Sequence, residues 1–188
     1  MQPDILVCAK ALSASYLPIS AVMVNDIVFQ GLAKQSHEIG TFGHGFTYSG
    51  HPVPAAVAIE TLKIYDETNI GEHVQSVGPH LLTELQRRFA GHELVGEVRG
   101  VGLIAAVELV ANKTTRANFA PDTRIGPRLT ALMQENGVIG RVCPGDALAF
   151  SPPLIISIAE IDDMLDRVQR SLDELTVQLR REQISIVN

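Results

Sequence analysis

Ile158, Ile161, Leu165, Val168, Leu172, Leu175 and Leu179 follow one another in steps of three and four near the end of the chain. That is the period of a helix with one apolar face, and such a face must be buried. Ser157 and Glu160 precede it at the spacing of a capping box, in which each side chain satisfies the other residue's backbone N–H. The stripe is therefore read as core packing and not as a cofactor site. A chain with this helix is committed to a folded unit with a real interior.

Other segments supply what it packs with. Glu72 to Phe89 carries Val74, Val77, Leu81, Leu85 and Phe89 on one helical face and ends near Gly91. Two strands are expected at Glu93–Val98 and Val101–Leu109, joined by Arg99-Gly100. A helix is expected over Thr123–Glu135, with Asp122 as cap and Gly137 as stop. Short strands at Val138–Val142 and Ala147–Phe150 flank the turn Pro144-Gly145-Asp146. Before all of these, Ile5–Ala9 reads as a short buried strand and Pro18–Val24 as another. Asp26–Lys34 reads as a short helix. Gly40 to Gly50 holds four glycines in eleven residues and is a loop. Pro52 opens the next helix, where its missing N–H costs nothing. The fold class is α/β, with a domain boundary near residue 91 that separates residues 1–91 from residues 92–188.

Of the 188 residues, 46% are apolar and 19% charged, so the chain can bury a core and is not disordered. The net charge of −6, without a basic block, argues against nucleic acid as a partner. The longest apolar stretch, Val101 to Ala111, contains Glu108 and is too short to span a bilayer. Cys8 and Cys143 stand far apart and fit a reducing cytosol. The six histidines lack cysteine or carboxylate neighbours at metal-ligand spacing, so no metal is assigned. His73 and His80, on one helix, are expected in solvent.

Lys10 is the sharpest chemical signal. Of four lysines, Lys34, Lys63 and Lys113 lie in polar or helical contexts, whereas Lys10 alone ends an apolar run. Removing an ammonium from water favours the neutral amine, which condenses with an aldehyde. By position alone a strand-end lysine reaching to solvent is the favoured reading.

The segment Pro3-Asp4-Ile5-Leu6-Val7-Cys8-Ala9-Lys10-Ala11-Leu12-Ser13, with Tyr16-Leu17-Pro18-Ile19-Ser20-Ala21-Val22, resembles the cofactor-lysine segment of the class III aminotransferases. These are fold-type-I enzymes, often called omega-aminotransferases. Gly45-Phe46-Thr47-Tyr48-Ser49-Gly50-His51-Pro52 resembles their second signature. Gly96-Glu97-Val98-Arg99-Gly100-Val101-Gly102-Leu103 resembles the start of their C-terminal domain, and Ser151-Pro152-Pro153-Leu154-Ile155-Ile156 their last inner strand. The four occur in family order and span nearly the whole chain.

The resemblance implies a partial fold-type-I large domain over residues 1–91, followed by the small C-terminal α/β domain over residues 92–188. It implies pyridoxal 5'-phosphate as cofactor and Lys10 as the catalytic amine that holds it and moves a proton. Thr47, by hydroxyl and backbone, and Phe46, by backbone, would hold the cofactor phosphate of the partner subunit, so the active site would be shared across a homodimer. Arg141 would pair with a substrate carboxylate; alternatively it pairs with a structural acid such as Asp146. The partners implied are a small-molecule amino donor and a keto-acid acceptor such as pyruvate.

The family's N-terminal portion, with its phosphate-binding turn, its ring-stacking aromatic residue and the aspartate that keeps the pyridine nitrogen protonated, has no counterpart in this sequence. The expectation is a truncated product or half of a split enzyme, with weak cofactor binding on its own. Three readings stay open. They are an aminotransferase, a mutase, racemase or decarboxylase of the same cofactor class, and a catalytically silent subunit.

Overall fold

A computed structural model describes residues 2–187. It is an α/β structure that separates into two compact units, Met1–Asn69 and Ile70–Asn188. The helix ending at Phe89 thus belongs to the second unit, whereas the boundary read from composition falls after it.

In the first unit, strand β1 (Ile5–Ala9) pairs antiparallel with β2 (Ser20–Val24), Ile5 opposite Val24 and Ala9 opposite Ser20. A 3₁₀ turn over Lys10–Ser13 starts the connection between them. Helix α1 (Asp26–Ile39) runs further than the expected Lys34, until Gly40 at φ +100° ends it. Its cap is Asn25, whose side-chain oxygen accepts the Val28 N–H at 3.0 Å. Helix α2 (Pro52–Glu67) begins with proline in its first turn, as expected.

Strand β1 is where expected, but it is not buried. Ile5, Leu6 and Val7 are 53%, 48% and 68% exposed, and Cys8 is half-buried. A two-stranded ribbon gives each strand one neighbour and leaves apolar faces open unless another layer covers them. Among the described residues of this unit only Ser13, Ala58 and Thr61 are buried.

The second unit has the dense core that the helical stripes demanded. Helix α3 (Ile70–Phe89) buries Val77, Leu81, Leu85 and Phe89. Strands β3 (Val95–Val101) and β4 (Ile104–Leu109) form a hairpin. Its turn is Gly102-Leu103, not Arg99-Gly100. Val101 pairs with Ile104, and Gly102 takes the left-handed φ of +58° that so tight a loop favours. Helix α4 spans Ile125–Glu135. Asp122 does not cap it: Pro121–Thr123 forms a separate 3₁₀ turn and Arg124, at φ +52°, takes the cap position. Gly137 ends it at φ +81°, as read.

Strands β5 (Arg141–Cys143) and β6 (Ala147–Phe150) complete an antiparallel sheet of order β3-β4-β6-β5. Ala105 pairs with Phe150 and Val107 with Leu148, and all four are buried, so one face of the sheet looks into the core. Helix α5 (Ile158–Arg181) lays its stripe there from Ile161 to Leu179, and its Ser157–Glu160 capping box is formed. Ile158, at the helix start, is instead 46% exposed.

Candidate functional site

Lys10 sits where β1 ends. Its backbone φ of +55° is left-handed, a conformation that costs a side-chain-bearing residue free energy. Ala14 and Ser15, at +48° and +65°, continue the strain through the same turn. Two side-chain hydroxyls hold the turn. Ser13 is 2% exposed, and its hydroxyl donates to the Leu17 carbonyl at 2.6 Å. The Ala11 carbonyl accepts the Ala14 N–H at 3.2 Å and, from α2, the Tyr65 hydroxyl at 2.9 Å. Lys10 lines an open cleft of about 250 Å³ with Ser13, Ser15, Leu17, Pro18 and Ile19. Its side chain is exposed, so the dehydrated setting expected for it is not met within this chain.

The glycine-rich segment forms a second site. Residues 47–50 make a turn in which the Phe46 N–H donates to Ser49 Oγ at 2.9 Å and the Ser49 N–H to the Phe46 carbonyl at 2.9 Å. Thr47 is exposed between them. Among the described residues no acceptor meets the N–H of Thr47 or of Tyr48. Free backbone donors beside a hydroxyl suit an anion such as a phosphate. Phe46 also lines a wider cleft of about 900 Å³ with Tyr48, Ser49, Gly50 and His51, and Thr47 is outside that lining. Pro18 and Ile19 line both clefts. Lys10 and Phe46 therefore face two neighbouring spaces, not one.

Arg141, on β5 in the second unit, is exposed and makes no ion pair among the described residues. The alternative pairing with Asp146 is absent. Burial pushes the Asp146 carboxyl up from its ordinary value, and the Gly126 N–H that it accepts partly offsets this. His73 and His80 are not solvated as expected. His73 Nε2 lies 2.9 Å from the Ile156 carbonyl and His80 Nε2 lies 2.9 Å from Asp162, and both rings are half-buried. No cluster of metal-ligating side chains is found, and no helix is long and apolar enough to cross a membrane, among the described residues.

Comparison with known proteins decides the family. The family model described as aminotransferase class-III matches residues 1–172. The chain belongs to the class III aminotransferases. Among its relatives, the chloroplastic gamma aminobutyrate transaminase 3 of Solanum lycopersicum is 43% identical over 174 residues, which are 93% of this chain and 33% of that protein. The diaminobutyrate–2-oxoglutarate transaminase of Halomonas elongata is 37% identical over 97% of this chain and 39% of its own length. In structure, the omega transaminase of Pseudomonas jessenii in complex with PMP superposes with a TM-score of 0.87. It is 47% identical and is matched over 94% of this chain and 39% of that one. The chain thus spans about a third of the length of the first curated relatives it matches.

These likenesses bear out the mixed α/β fold expected for a class III aminotransferase, and the family is pyridoxal-phosphate dependent. Two residues in this class III chain escaped the sequence reading. Ser13 is buried, which nothing in its local sequence indicates. Tyr65 stands 54 residues from the carbonyl it holds, and only the fold reveals that bond.

Proposed function

We propose that this chain serves pyridoxal-phosphate-dependent transamination between an amine or omega-amino acid and a keto acid such as pyruvate. The observation that carries the proposal is Lys10. It is the one lysine that lies within a family signature, and it is held on a strained, pinned turn at the wall of a cleft. Bound there, pyridoxal phosphate supplies an aldehyde that takes an amine and a ring that draws electrons from it. Lys10 would hold the cofactor through Nζ, and that same nitrogen is the group placed to carry a proton. Thr47 and Phe46 hold the phosphate of the partner subunit's cofactor, and the separation of their turn from the Lys10 cleft agrees with service to two different sites. Arg141, unpaired among the described residues, binds the substrate carboxylate as a planar fork.

The assembly in this proposal is a homodimer with a shared active site. Two half-buried free thiols, Cys8 and Cys143, support placing it in the cytosol, although some plant relatives are named as chloroplastic or mitochondrial. A second reading has its own observation. The exposure of Lys10 and of β1 leaves the amine open to water on this chain alone, which favours a chain that is nearly silent by itself. Borohydride reduction in the presence of pyridoxal phosphate, followed by peptide mapping, tests the assignment. The expected result is a label concentrated on Lys10. A label spread evenly over Lys34, Lys63 and Lys113 as well would sink it.

A further inference from the structure

We infer that Tyr65 is a positioning residue that aims Lys10 by holding the carbonyl of Ala11. The inference rests on the reading of Lys10 as the cofactor amine. A lysine with φ of +55° stays there only if its surroundings impose that conformation. Within the turn itself, the Ala14 N–H reaches the Ala11 carbonyl at 3.2 Å, a long bond from a residue that is also left-handed at +48°. The Tyr65 hydroxyl, at 2.9 Å, is the shorter of the two bonds on that oxygen and comes from outside the turn. Ser13 fixes the far side through Leu17 at 2.6 Å. The Tyr65 hydroxyl thus holds the Ala11 carbonyl, one residue after Lys10, and the Ser13 hydroxyl ties the later part of the turn. Helix α2 is a suitable anchor, since Ala58 and Thr61 on it are among the few buried residues of this unit. Without the Tyr65 bond, the Lys10 backbone can relax towards the negative φ that an L-residue prefers, and Nζ leaves its place on the cleft wall.

Tyr65→Phe removes the hydroxyl and keeps the ring. Two measurements on the full chain test the consequence. In the first, amide exchange at Ala14 becomes roughly five-fold faster, the size expected for loss of one neutral hydrogen bond. In the second, borohydride fixation of pyridoxal phosphate on Lys10 falls by a similar factor, while fixation on Lys34 and Lys63 is unchanged. A general loss of structure would alter all three lysines and the melting curve. Unchanged fixation on Lys10 overturns the inference, as does unchanged exchange at Ala14. If the unsubstituted chain fixes no more cofactor on Lys10 than on Lys63, the reading of Lys10 itself has failed and the positioning role goes with it.

Discussion

The two units of this chain put their apolar residues to opposite use. The second unit folds an antiparallel sheet under α3, α4 and α5 and buries Leu81, Leu129, Leu148 and Leu165 completely. The first unit leaves Val7, Val22 and Ile27 between 64% and 79% exposed, and buries only three of its described residues. Yet Lys10, Phe46 and Thr47 lie in the first unit. Stability is concentrated in one part of the chain and most of the proposed chemistry in the other. Lys10 is itself exposed in that sparsely packed first unit.

Core truncation gives the largest expected effect and tests the contrast most directly. Leu165→Ala should cost about 2–5 kcal/mol, since the residue is fully buried and a cavity would remain. Val7→Ala should stay within about 0.5 kcal/mol, because that side chain is mostly exposed. Denaturant titration of both variants compares them. Equal losses would mean that β1 is covered in solution, so that the contrast between the units would not describe the protein there.

A smaller effect is expected where the second unit is tightest. A Cβ on Gly78, in the middle of α3, would lie 2.8 Å from the Cα of Gly102 in the hairpin turn. Helix propensity favours alanine over glycine by about 1 kcal/mol. The clash is with backbone on both sides, which cannot swing away, and overpacking of this kind costs about 1–3 kcal/mol. Gly78→Ala should therefore destabilise on balance, by a lowered thermal midpoint. A raised midpoint would show that the α3–hairpin contact yields.

These elements also show what a sequence can reveal. Helix α5 was legible because its cap and stripe are local: Ser157 and Glu160 are three residues apart, and the apolar steps follow one helix face. The β3–β4 turn was not, because glycines stand at both 100 and 102. The choice between them is made by cross-strand register, with Val101 opposite Ile104 and Gly100 opposite Ala105. The family was legible from motif order. The exposure of Lys10 was not, since an apolar run indicates what can be buried and says nothing of what lies over it. Tyr65 and Ser13 belong to the same class, being contacts made only when the chain has folded.

The mildest test concerns charge on the α3–α5 face of the stable unit. Arg88, with 11% of its side chain exposed, bonds Glu84, Asp166 and, at 3.5 Å, Asp162. The Arg87 guanidinium first, and Arg88 next, hold the Glu84 carboxyl at about 2, well below its ordinary 4.5. A carboxylate whose value is depressed by folding stabilises the fold fully above its unfolded value and loses that contribution as pH falls through the folded one. The loss attached to Glu84 should thus develop between about pH 4.5 and pH 2. Glu84→Gln removes the titration, so its stability should fall less steeply across that window than that of the unsubstituted chain. Urea midpoints at pH 6, 4 and 2.5 would show this. Parallel curves would mean that exposed Arg87 releases the carboxylate in solution, and that the second unit owes its stability to its core alone.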